Sequence, residues 1–171
     1  MIKRILLSFV FLTIGTTGML AKENTAFIGK TEAQSLKTNI MTPEALWAMG
    51  RISTSAPSPD GQKVAYQVAY YSVKENKSHH VIYVTDIKGN NNKLLTTTND
   101  NEMSPAWIQN GQRIAFLSNK GGSYQIWSML PDGSDRKKLT DDTTDIEGFS
   151  FSPDEKKVIL LKSIAYNDII E

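Results

Sequence analysis

Apolar side chains fall on every second position in two separate stretches of this chain. Val64, Tyr66 and Val68 share one face of an extended segment, and Ile114 and Phe116, followed by Ser118, repeat the arrangement. Each stretch opens on a turn signal. The first reads Ser58-Pro59-Asp60-Gly61-Gln62-Lys63 and the second Gln109-Asn110-Gly111-Gln112-Arg113, while a third, Ser152-Pro153-Asp154-Glu155-Lys156-Lys157, follows 44 positions on. Further landmarks recur at 44: Ile82-Tyr83 on Ile126-Trp127, Gly89 on Gly133, and Leu95-Thr96 on Leu139-Thr140. A period of about 40–50 residues built from short strands is the signature of a β-propeller blade. The pattern predicts an all-β fold, a partial β-propeller of about two and a half four-stranded blades.

The blades are expected at about 52–97, 103–141 and 146–171, the last incomplete. In the second, strands are predicted over Met103–Ile108, Gln112–Ser118, Tyr124–Leu130 and Arg136–Thr140; in the third, over Ile146–Phe151 and Lys156–Lys162. Asp60-Gly61, Asn110-Gly111 and Asp132-Gly133 supply left-handed turn positions. Glu155 stands where the third repeat would have its glycine, so that turn is either of another type or slightly strained. Only the opening of the third copy precedes Glu171, and propellers close with about 4–8 blades. The chain therefore reads as the front end of something larger, with Phe149, Phe151, Val158 and Leu160 expected to await a covering blade.

Ahead of the repeats the pattern changes. Lys3-Arg4 followed by the apolar run Ile5–Ile14 and small residues up to Ala21 reads as a signal peptide over 1–21, implying export. The run is short for spanning about 30 Å of hydrocarbon, so no stable membrane anchor is expected. Residues 22–40 are polar and aperiodic and read as a flexible mature N-terminus. Over 41–51 a short helix is predicted, with Thr42 as its cap, Pro43 in its first turn, Glu44 at its positive end and Gly50 closing it. Leu46, Trp47 and Met49 form the apolar side expected to dock, with Trp47 as a packing anchor.

Charge adds little. Nineteen basic and 18 acidic side chains leave a net charge of +1, with no basic stripe for nucleic acid. There is no cysteine, which excludes disulfides, thiol catalysis and cysteine-ligated metals.

No residue set for catalysis, cofactor binding or metal binding can be assembled. His79 and His80 are the only histidines, and as strand neighbours they point to opposite faces. Gly148-Phe149-Ser150-Phe151-Ser152 departs from a nucleophile elbow, because Ser152 replaces the final glycine and no helix follows. Asp141, Asp142, Asp145 and Glu147 lack the alternating spacing of a helix–loop–helix calcium site and read as a solvated turn between blades. Asn76-Lys77-Ser78 fits a glycosylation acceptor, a common triplet. The chain thus calls for no cofactor and no nucleic-acid partner, and leaves the oligomeric state open.

Met41-Thr42-Pro43-Glu44, Arg51-Ile52-Ser53 and Ser58-Pro59-Asp60-Gly61 resemble the mature start of prolyl-oligopeptidase-family serine peptidases. Pro105-Ala106-Trp107, Gly111–Ser118, Gln125-Ile126-Trp127 and Leu139-Thr140 strengthen the resemblance, which is greatest to the dipeptidyl-peptidase 5 type. It implies that the propeller precedes an α/β-hydrolase domain bearing a serine, acid and histidine triad, and limits that domain to peptide substrates. None of those catalytic residues falls on this chain. Similar repeats occur in the translocation protein TolB, so the alternative is a non-enzymatic periplasmic scaffold.

Overall fold

A computed structural model describes residues 40–163. The proposed signal peptide, all but the last residue of the 22–40 segment, and residues 164–171 lie outside the described residues.

The helix is shorter than predicted. Helix α1 spans Pro43–Ala48, with Thr42 Oγ1 accepting from the Ala45 amide at 3.2 Å. It ends on extended Met49, so Gly50 does not cap it and Arg51 already belongs to the first strand. The docking face also differs. Ala45 and Ala48 are buried, whereas Leu46, Trp47 and Met49 stay about half exposed. Small side chains let the helix sit close on the sheet. Gly50 follows the same logic, since a Cβ there would lie 2.7 Å from Tyr70 and 2.8 Å from Val68.

Ten strands follow among the described residues, all paired antiparallel. The first sheet runs β1 (Arg51–Pro57), β2 (Lys63–Ser72), β3 (Lys77–Asp86) and β4 (Lys93–Leu94) in that order. The second repeats it as β5 (Glu102–Ile108), β6 (Arg113–Ser118), β7 (Gln125–Met129) and β8 (Lys137–Lys138). The third holds β9 (Gly148–Phe151) and β10 (Val158–Leu161). Most strand ends lie within about two residues of the sequence expectation. The outermost strands are shorter, for a repeated reason. The Ile82 amide donates to Thr96 Oγ1 and the Ile126 amide to Thr140 Oγ1, both at 2.9 Å. A threonine hydroxyl thus takes the place of a ladder carbonyl and turns the chain towards the next sheet.

The turns into the second strands are equally repetitive. Ser58 Oγ donates to Asp60 at 2.5 Å and accepts from the Lys63 amide at 2.9 Å; Ser152 does the same with Asp154 at 2.6 Å and the Lys157 amide at 3.0 Å. Glu155 takes the glycine's left-handed conformation (φ +54°), and its amide donates to the Ser152 carbonyl as Gly61 donates to Ser58, both at 2.8 Å. The turn is therefore of the same type, with a non-glycine residue in a strained region.

Packing between sheets makes the core. Ala65, Ile82 and Val84 of the first sheet, with Leu95 just after it, meet Ile114, Phe116 and Met129 of the second, flanked by Trp107 and Trp127. Trp107 Nε1 donates to the Ala56 carbonyl at 2.8 Å, tying β5 to β1. The other face of the second sheet, Ile108, Ala115, Leu117 and Ile126, packs on Ile146, Phe149, Phe151 and Leu160. This reverses the expectation for the third sheet. Phe149, Phe151 and Leu160 turn inward against the second sheet, while Ile159 and Leu161 point outward at 75% and 63% exposure. The face of the first sheet that carries Val68, Val81, Tyr66, Tyr70 and Tyr83 forms a smaller cluster.

Candidate functional site

The equivalent turns bring chemistry to one end of the molecule. A Cβ on Gly111 would lie 3.2 Å from Pro59, so the first two turns touch. The Gln109 amide donates to both Glu155 carboxylate oxygens, at 2.9 and 2.7 Å, so the second and third are joined as well. Beside them a groove of about 500 Å³ runs between Lys63, Asp86 and Lys93 of the first sheet and Leu130-Pro131-Asp132 of the second. Its lining includes two ammonium groups, Lys63 and Lys93, and two carboxylates, Asp86 and Asp132. Asp132 is held below its ordinary pKa because the Ser134 hydroxyl and amide donate to it, with Lys93 contributing attraction. A second groove, of about 420 Å³, lies between Trp47 of the helix and the β2–β3 hairpin. Here Arg51 stacks over Trp47 and Tyr71, 4.8 and 4.7 Å from their ring centres. Ser78 on the wall of this second groove lies 3.4 Å through its hydroxyl from His80 Nε2.

The sequence candidates lie on strands, turns and connections of the three sheets. His79 and His80 both lie in β3, His79 buried and His80 partly so. His79 Nε2 meets the Asp100 carbonyl at 3.0 Å, and His80 Nδ1 meets Gln67 Nε2 at 2.8 Å. Desolvation holds both imidazoles below their ordinary pKa. Ser150 sits in strand β9, and Ser152 Oγ is engaged within its own turn. The acidic cluster is likewise committed. Asp141 pairs with Lys138 at 2.5 Å, Asp142 with Lys162 at 2.6 Å, and Asp145 accepts from the Tyr124 amide at 2.7 Å. Hydrogen bonding from Lys162, then from Thr144, pulls Asp142 down to a pKa of about 2. Among the described residues no group of three or more histidine, cysteine, aspartate or glutamate side chains could hold a metal ion. Asn76 has φ +48° at an exposed hairpin tip.

Two polar assemblies escaped the sequence reading. Glu102, 1% exposed, pairs with Arg136 and accepts from Thr96 Oγ1 at 2.8 Å, while Arg136 also donates to the Leu95 carbonyl at 2.8 Å. Gln125, fully buried, accepts from Thr140 Oγ1 and the Asp142 amide, both at 2.9 Å. The recurrence of Thr96 at Thr140 was the one visible trace. The repeat marks the threonines but not the partners chosen for them.

The sequence profile of the TolB beta propeller domain family, PD40, matches residues 30–170. Among curated proteins, dipeptidyl-peptidase 5 of Porphyromonas gingivalis is 43% identical over 126 residues, covering 74% of this chain and 18% of the relative. The same-named protein of Porphyromonas endodontalis is 35% identical over 136 residues, covering 80% and 20%. The chain thus spans about a fifth of the length of these relatives. The acylaminoacyl peptidase of Pyrococcus horikoshii superposes with a TM-score of 0.55 at 17% identity, over 67% of this chain and 17% of that one. A putative TolB from Agrobacterium tumefaciens gives 0.54 at 24% identity, over 67% and 39%. At such identities the two structures speak for the fold alone.

Proposed function

This chain belongs to the prolyl-oligopeptidase family, as part of its N-terminal β-propeller, and from that premise we propose that it serves an exported serine exopeptidase releasing dipeptides. The observation that carries the reading is the 43% identity to a dipeptidyl-peptidase 5 over 74% of the chain. The chemistry of such an enzyme is acyl transfer through a serine–histidine–acid triad, carried by an α/β-hydrolase domain in the family that this chain resembles. By its likeness to that family, the propeller's role is selection of the peptides that reach such a domain. The apolar leader at 1–21 directs the protein to the periplasm or medium, and the substrates are peptides. Residues 22–171 alone are expected to turn over no dipeptidyl chromogenic substrate.

A second reading, a non-enzymatic TolB-like scaffold, draws on the 29% identity to TolB of Legionella pneumophila over 43% of the chain. One experiment separates the two. The coding sequence after Glu171 is read, and the complete product is assayed for dipeptide release. A Gly-x-Ser-x-Gly after the last blade with release that vanishes on changing its serine supports the peptidase. Further blades running to a stop codon, with no release, would leave the scaffold.

A further inference from the structure

We propose that Gln67 and His80 form an acid-sensitive latch between the first two blades, closed only while the His80 imidazole is neutral. Donor polarity carries the argument. The Ser104 amide donates to Gln67 Oε1 at 3.0 Å, joining β2 of the first sheet to β5 of the second. Ser104 sits in the irregularity between Met103 and Ala106 with φ +55°, an unusual conformation outside glycine. A backbone N–H can only donate, so the Gln67 amide has one admissible orientation, with its oxygen towards Ser104. Its NH2 group then faces His80 Nδ1 at 2.8 Å. That nitrogen must be the acceptor, and the imidazole proton resides on Nε2, which lies 3.4 Å from Ser78 Oγ.

Protonating His80 places an N–H against an N–H. Gln67 cannot relieve this by turning over, because its NH2 would then confront the Ser104 amide. One of the two contacts must open. The His80 amide is held separately, by Asn101 Oδ1 at 2.9 Å, so the backbone of β3 keeps the ring aimed at the junction.

Of the charged groups nearby, Asp100 acts on His79 rather than on His80. His79 on the same strand adds repulsion when charged, and it is occupied by the Asp100 carbonyl. Glu102, on the entering strand β5, is committed to Arg136 and Thr96. Tyr124, just before β7, hydrogen-bonds to Asn101 and is pushed above its ordinary pKa by burial. Burial lowers the His80 pKa from 6.5, in the direction the hydrogen-bond polarity demands. A folded-state pKa below the unfolded one means that the unfolded chain binds more protons. Stability contributed by the latch is therefore complete above 6.5 and is lost as pH falls through the folded-state value.

The test is imidazole NMR on the full chain, which has only two histidines to assign. Native His80 is expected as the Nε2–H tautomer at neutral pH, titrating below 6.5. In Gln67→Glu a carboxylate accepts from both Ser104 and a protonated His80, so the His80 pKa should cross to above 6.5 while His79 moves little. Gln67→Met should raise it less, by removing only the donor. The Nδ1–H tautomer in the native chain overturns the proposal without any variant. So does a native pKa at or above 6.5, or a pKa that Gln67→Glu fails to raise.

Discussion

Strand β6, Arg-Ile-Ala-Phe-Leu-Ser, is less apolar than strand β10, Val-Ile-Leu-Leu, yet all six of its residues are buried while three of the four in β10 are exposed. The difference lies in neighbours. The second sheet has a sheet against each face, so Ile114 and Phe116 are covered on one side and Ala115 and Leu117 on the other. The third has a neighbour on one face only among the described residues, and Ile159 and Leu161 face away from it. In a repeat array burial is a property of the stack, and composition predicts it only where the stack is complete on both sides.

The sharpest way to break this comparison is to delete equivalent bulk in the two places. Phe116→Ala removes a ring that is 1% exposed and packed at the first junction, and should cost about 3–5 kcal/mol in urea unfolding. Leu161→Ala, at 63% exposure, should cost about 0.5 kcal/mol or less. Similar losses at both positions would show that the third sheet is covered in solution, by another copy or by a rearrangement of its own chain.

The next effect probes the polar part of the same junction. Arg136 lies over Phe116, 5.4 Å from the ring centre, and pairs with Glu102. Arg136→Met keeps much of the packing but leaves a carboxylate buried without its cation. The expected loss is about 3 kcal/mol, because stranding a buried charge costs more than the pair contributes. Adding Glu102→Gln should restore part of it. An additive double variant would mean that the two side chains act independently, and that the junction is held by its apolar contacts alone.

The same contrast explains what was legible in the sequence. Strand positions were, because period-two runs and Asp-Gly or Asn-Gly turns are local signals that no neighbour can alter. The facing of the third sheet was not. Alternation sorts Phe149 and Leu160 from Ile159 and Leu161 but cannot say which set meets the second sheet, and the choice came out opposite to expectation. The helix was misjudged for a related reason. Leu46 and Trp47 look like the docking face, but close approach to the sheet selects Ala45 and Ala48, while Trp47, half exposed, meets Tyr71 of β2 edge-on at 6.0 Å. Buried polar residues such as Gln67, Glu102 and Gln125 carried no periodic mark at all. They became visible only once the junctions had brought their partners together.

The smallest expected effect lies at the edge of the second junction, where charge substitutes for missing apolar cover. Asp142, in the connection entering the third sheet, is bonded to Lys162 at the end of β10. Its pKa falls from 3.8 to about 2, first through the Lys162 hydrogen bond and then through the Thr144 amide. The unfolded chain therefore binds the proton more readily than the folded one between those values. The contribution is complete above 3.8 and is lost as pH drops through about 2. Because the pair is solvent-accessible, its effect should be slight and should shrink further with added salt. A carboxyl-carbon titration of Asp142 should give a midpoint near 2, and amide exchange over β9 and β10 should quicken across the same range. Asp142→Asn should abolish that pH response while leaving exchange in β6 unchanged. If β6 quickens in step with β10, the two sheets open as one unit, and the third is anchored as firmly as the second.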